Sequence, residues 1–69
     1  MYQDLKQKLE KYIGKMIVVF YYQQGHLEAV VAQLNEVNDE SILLDGFHPI
    51  LYGEIQKIVV EGEVLYQKD

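Results

Sequence analysis

The side chains that could act in catalysis are few and widely spaced. Ser41 is a potential nucleophile, but His26 and His48 lie at no spacing typical of a catalytic triad. The chain has no cysteine, which removes both a thiol nucleophile and thiolate metal ligands. It also has no glycine-rich phosphate loop. We therefore predict that the protein is not an enzyme and uses no cofactor.

An acidic segment, with Glu36, Asp39 and Glu40, supplies oxygen ligands of the kind that calcium and magnesium prefer. Its spacing matches no calcium-binding loop, so we interpret it as a solvated turn and predict no metal site. We interpret His26 and His48 as exposed turn residues; the alternative for His48 is to line a pore between copies or to sense pH.

The length and composition indicate one small domain with an incomplete core. A chain of 69 residues buries only about 60% of the surface that it exposes when unfolded. Domains of this size are usually reinforced by disulfides, a metal or oligomerisation. Without cysteine or a metal site, oligomerisation is the remaining route. We therefore predict a homo-oligomer.

The charge disfavours tight nucleic-acid binding. The net charge is −5, and all six basic residues are lysines. Arginine supplies the bidentate contacts to phosphate and guanine, and an acidic chain gains little from counterion release.

The N-terminal segment is too charged for a signal peptide, and no apolar run approaches the roughly 20 residues of a membrane span. We therefore expect a cytoplasmic protein without a membrane partner.

The pattern along the chain predicts a helix followed by five strands. Leu5, Leu9, Tyr12 and Ile13 share one face of a helix over about residues 3–13, with Gly14 as its stop. Strands are predicted over about residues 15–24, 26–36, 41–45, 49–52 and 55–60. The tail, residues 61–69, could extend the last strand, form a hairpin around Gly62 or lie against a neighbour.

The order and spacing of these elements predict an all-β fold, a five-stranded and strongly bent antiparallel barrel with an N-terminal helix. The first two strands carry apolar residues on both faces, more than so small a barrel can cover. The short apolar strands at 49–52 and 55–60 are predicted to be edges that pair with another copy. Head-to-tail pairing of this kind closes into a ring.

Three segments of the sequence resemble the Sm-like family, which includes the Sm, LSm and Hfq proteins. Residues 27–35 follow the spacing of its first motif, with Ala29 in place of a glycine and Asn35 in place of an aspartate. Residues 41–44 resemble its third strand, and residues 51–55 its second motif. Other small barrels, such as SH3-like ones, have the same strand count.

The resemblance implies a nucleic-acid site. In RNA-binding members, an Asp, an Asn and an Arg line the pore and hold a uracil-rich strand. Those positions hold Asn35, Ser41 and Tyr52 here, and Gly53 follows. Asn35 would bind a base edge and Tyr52 would stack on a base. The alternatives are that Asn35 caps a turn and that Tyr52 fills a strand end or subunit contact, with Gly53 simply forming the turn.

Two functions follow from these observations. The first is a non-catalytic, homo-oligomeric Sm-like module that acts as a weak or vestigial binding ring for single-stranded RNA. The second is a structural or scaffold protein whose acidic surface docks a protein partner. Tyr21 and Tyr22 could also form an aromatic platform, although strand packing explains them as well.

Overall fold

The computed structural model of the protein describes residues 2–69, which form one helix and an antiparallel sheet of six strands. The helix α1 spans Gln3–Glu10, and a short 3-10 turn, Tyr52–Glu54, joins the fourth and fifth strands. The sheet has the order β4-β3-β2-β1-β5-β6. The strands are β1 Met16–Gln23, β2 His26–Val37, β3 Ser41–Leu44, β4 Ile50–Leu51, β5 Ile55–Val60 and β6 Glu63–Gln67.

The helix buries one narrow apolar stripe. Leu5 and Leu9 are one turn apart and both belong to the core. Asp4 lies in the first turn, where its negative charge interacts favourably with the helix dipole. The helix ends at Glu10, three residues before the predicted end, and continues as i→i+3 turns. These tighter turns rotate the following residues away from the stripe. Ile13 is consequently 49% exposed rather than part of the predicted helical face.

The long hairpin of β1 and β2 is the centre of the sheet. Its eight residue pairs run from Met16 opposite Gln33 to Gln23 opposite His26. The two turn residues, Gln24 and Gly25, both have positive φ angles. This is the backbone conformation of a type I′ turn, whose twist matches that of the two strands.

The strand β2 is long enough to belong to two parts of the sheet. Its first part pairs with β1, and from Leu34 onward it pairs with β3. A register shift between Leu34 and Glu36 marks the change of partner. Such irregularities increase bending and twist. Together with α1, the two parts enclose the core, which consists of Leu5, Leu9, Ile17, Val19, Tyr21, Val30, Ala32, Leu34, Ile42, Leu44, Ile50, Tyr52, Ile55, Ile58 and Val60.

The sheet is open, which corrects the prediction of a closed barrel. Its edges are β4 and β6, and no pairing joins β4 to β5. Two features account for this: β4 has only two residues before the chain enters the 3-10 turn, and the other side of β5 pairs with β6. The fifth strand is therefore interior to the sheet, not an edge as its short apolar sequence suggested.

The tail takes the second of its three predicted conformations. Glu61 and Gly62 both have positive φ angles and connect β5 to β6 in a tight hairpin. The bounds of the first five strands differ from the predicted ones by no more than about one residue at either end.

Candidate functional site

A cleft lies where the start of α1, the β2–β3 loop and the β4–β5 turn meet. It has a volume of about 570 Å³. The loop and the turn are tied together by a hydrogen bond of 3.0 Å from the backbone N–H of Tyr52 to the carbonyl oxygen of Glu40. The lining residues are Tyr2, Gln3, Asp39, Glu40, Leu51, Gly53 and Glu54.

Tyr52 lies beneath this cleft and not in it. Its side chain is only 1% exposed, and its hydroxyl donates a hydrogen bond of 2.6 Å to the carbonyl oxygen of Asn38. Its ring centroid lies 5.4 Å from that of Tyr2. The ring is thus committed to internal packing, as in the alternative interpretation, and presents no free face on which a base could stack.

The electrostatic environment of Tyr52 is unfavourable to a phenolate. Burial, reinforced by the negative charges of Glu10 and Asp39, raises the pKa of Tyr52 from 10.0 to about 12. The neutral hydroxyl therefore remains a hydrogen-bond donor to Asn38 throughout the physiological pH range.

The other three predicted site residues do not form one group. Ser41 is half-buried and pairs with Leu51, and Gly53 lines the cleft. Asn35 is exposed near the opposite end of β3, with its amide nitrogen 3.4 Å from the carboxylate of Asp45. The structure therefore brings Ser41, Tyr52 and Gly53 to one end of the fold and leaves Asn35 outside that group.

The cleft is acidic. Three of its lining residues, Asp39, Glu40 and Glu54, are carboxylates. Lys6 donates a hydrogen bond to Asp39, and this pair lowers the pKa of Asp39 and raises the pKa of Lys6. Lys68 donates a hydrogen bond to the carbonyl oxygen of Gly53, so the three carboxylates outnumber the two lysines beside the cleft. The cleft therefore favours a cationic ligand over a phosphate backbone.

The acidic segment does not form a metal-binding cluster. Within residues 2–69, no group of three or more His, Cys, Asp or Glu side chains is arranged to hold a metal ion. His26 and His48 are both exposed.

None of the helices within residues 2–69 is long and apolar enough to cross a membrane.

An exposed apolar surface lies on the opposite side of the sheet from α1. We call it the outer face, and its central row runs across four strands as Val31, Val18, Val59 and Val64, each paired with the next. Because cross-strand partners project to the same side, this row is continuous. The remaining members of the outer face are Met16, Phe20, Tyr22, Leu27, Ala29, Gln33, Lys57 and Gln67.

Nothing in the described chain covers the outer face. Val31 is 63% exposed, Met16 is 59% exposed and Val64 is 53% exposed. The Lys57 ammonium lies 5.7 Å from the centroid of the Phe20 ring, close enough for a cation–π interaction. The arrangement offers no group for proton transfer or nucleophilic attack at its centre; its chemistry is that of apolar contact.

The sequence predicted this surface in part. Apolar residues on both faces of β1 and β2 indicated that a second apolar surface would need a partner. The contribution of Val64 is not predicted, because three conformations remain open for the tail. The signal was present: Gly62 follows a polar residue between two β-rich segments, a typical hairpin pattern.

Comparison with protein-family models, curated proteins and solved structures found no match to this chain. The resemblance to the Sm-like family therefore rests on the sequence pattern alone.

Proposed function

We propose that the protein is a non-catalytic, self-associating module of the Sm-like type, and that it acts by binding protein surfaces. One observation carries this proposal: a row of valines crosses four adjacent strands and remains open to solvent at Val31 and Val64. Exposed apolar patches of this kind on small proteins mark interaction sites.

The architecture supports the Sm-like part of the proposal. A helix precedes five antiparallel strands, and β2 bends where it changes partner between β1 and β3. Two of the three segments that resemble the family, residues 41–44 and 51–55, are adjacent in the sheet, since Ser41 is paired with Leu51. The open sheet and the additional strand β6 are departures from a closed five-stranded barrel.

Protein binding is better supported than RNA binding. The ring of Tyr52 is buried, and the carboxylates of Asp39, Glu40 and Glu54 surround the place where a nucleotide would enter. A phosphate backbone would be repelled there. The same acidic cleft favours the second candidate function, a scaffold that docks a basic segment of another protein.

A ring assembled through sheet edges remains a prediction. Because β5 pairs on both sides, such a ring would have to join β4 of one copy to β6 of the next. This differs from the predicted contact between the fourth and fifth strands.

The decisive experiment is the solution mass of the whole chain, measured by light scattering after size exclusion over a range of micromolar concentrations. We expect a mass at least twice the monomer value of 8.1 kDa, with dissociation on dilution. A constant mass of 8.1 kDa at all concentrations would refute self-association.

Fluorescence anisotropy with oligo-U and oligo-A RNA tests the nucleic-acid alternative. We expect no saturable binding at physiological salt and only weak, steeply salt-dependent binding at low salt. The Glu54→Gln variant removes one cleft carboxylate and should strengthen any such binding, whereas His26→Gln, outside the cleft, should not. Tight binding at physiological salt would overturn the preference for a protein partner.

A further inference from the structure

We infer that the outer face binds a second copy of this chain, with the two sheets packed face to face across a two-fold axis. The inference rests on the proposed self-association and specifies its surface and symmetry. A row of four valines is well suited to this arrangement, because each side chain can meet a residue of similar shape in the second copy. A two-fold contact requires a patch that is complementary to itself.

The two sheet edges are poor alternatives for this contact. The strand β4 has only two residues. In the pairing of β5 with β6, Ile58 is opposite Tyr66 and the adjacent Val59 is opposite Val64, so that Leu65 is an extra residue, a β-bulge. Short edge strands and bulged edges are two of the ways in which proteins prevent further strand pairing. Association through the face avoids both.

The size of the outer face is close to what a specific dimer needs. Four strands at a spacing of about 4.8 Å span about 19 Å, and the eight residues of β1 extend about 26 Å. Because β5 has six residues and β6 has five, this rectangle is an upper bound, and the footprint is at most about 500 Å² on each copy, or about 1,000 Å² for the pair. This reaches at most the lower limit for a biological interface and predicts a dimer of weak to moderate affinity.

The distribution of charge also favours a second copy. The chain contains eleven acidic residues, yet none is a member of the outer face, where Lys57 is the sole charged side chain. Two copies that meet at this face keep their acidic surfaces apart. Lys57 projects from the row next to the valines, where its alkyl stem can remain in the contact while its ammonium reaches water.

The test is a pair of single substitutions, Val31→Lys and Val64→Lys, each analysed as the full chain by light scattering. Both positions are more than half exposed, so a lysine there should leave the monomer fold intact, which circular dichroism verifies. Burying an unpaired ammonium at the contact should raise the dimer Kd by at least about tenfold. His26→Lys is the matched control, because His26 is exposed on β2 but lies outside the outer face.

The outcomes separate the two proposals. Dimeric wild-type protein and His26→Lys, together with monomeric Val31→Lys and Val64→Lys, would support the face-to-face dimer. An oligomer that persists in both lysine variants would overturn the inference and leave self-association standing through another surface. A wild-type mass above that of a dimer would also overturn the two-fold arrangement, and a monomeric wild-type protein would refute both proposals.

Discussion

The two faces of the sheet formed by β2, β1, β5 and β6 have similar residues but opposite environments. On the inner face, Ile17, Val19 and Ile58 are almost fully buried. On the outer face, Val31 and Val64 are more than half exposed. Aliphatic side chains of nearly the same size thus contribute to the core on one side and remain in contact with water on the other.

The difference shows what the strand pattern means in so small a chain. A strand with apolar residues on both faces is expected to be buried on both faces. Within residues 2–69, the elements that cover this sheet are α1 and the β3–β4 part, and both lie on the inner side. In the proposal made above, the apolar outer face is the surface that a second copy covers.

The largest expected effect comes from making the same substitution on each face. Val19→Ala should lower the free energy of unfolding by about 1–3 kcal/mol, because it removes buried methyl groups and leaves a cavity. Val31→Ala should cost the monomer less than about 0.5 kcal/mol. Urea unfolding at a low protein concentration, where the monomer predominates, measures both values.

Repeating this pair at high protein concentration sharpens the comparison. If the outer face is a contact, Val31→Ala should become more destabilising as the concentration rises, because association stabilises the folded state. The effect of Val19→Ala should change much less. Equal losses of stability for the two variants at low concentration would show that the faces do not differ as described.

Substitution of Tyr52 tests whether the buried core extends as far as the acidic cleft. Tyr52→Phe keeps the packing against Tyr2 and removes the hydrogen bond to the carbonyl of Asn38. We expect a loss of about 0.5–1.5 kcal/mol at neutral pH. Tyr22→Phe, on the exposed outer face, is the control and should be nearly neutral.

The same variant should change the response to alkali. The pKa of Tyr52 is raised from 10.0 to about 12 in the folded state, so the folded protein binds this proton more tightly than the unfolded chain. The resulting stability is present below pH 10.0 and is lost as the pH rises toward about 12. Tyr52→Phe should flatten this decline in urea unfolding; an unchanged decline would show that the group is not buried as described.

The sequence predicted the local elements better than their tertiary relations. Helical spacing of Leu5 and Leu9 and the glycine between β1 and β2 are local signals, and both correspond to observed elements. The prediction that β5 is an edge is wrong, because its status depends on whether the tail after Gly62 forms a sixth strand, which the sequence analysis leaves open.

The candidate site was less predictable, because it depends on contacts between residues that are far apart in the sequence. A tyrosine beside a glycine at a turn is typical of both an exposed stacking platform and a buried strand end. The choice depends on Tyr2 and Asn38, which lie far away in the sequence and meet Tyr52 only in the fold. The outer face, in contrast, depends on alternation within β1 and β2, and its apolar character could be predicted directly.

The smallest expected effect concerns an ion pair at the surface, between Lys6 of α1 and Asp39 of the β2–β3 loop. The pKa of Asp39 is lowered from 3.8, so its contribution to stability is present above pH 3.8 and is lost as the pH falls through the folded-state value. The pKa of Lys6 is raised from 10.5, so its contribution is lost as the pH rises through its own folded-state value. Between these limits the pair tethers the helix to the loop that borders the cleft.

Lys6→Gln should raise the pKa of Asp39 toward 3.8, as measured by NMR titration of its carboxyl group. Lys8→Gln is the control, because Lys8 lies in the same helix and is exposed. Since Asp39 is exposed, salt should screen the interaction and reduce the difference between wild type and Lys6→Gln. An identical Asp39 pKa in wild type and Lys6→Gln would mean that the ion pair does not join α1 to the loop. Helix α1 would then be held by Leu5 and Leu9, and the loop by the backbone contacts of Asn38 and Glu40.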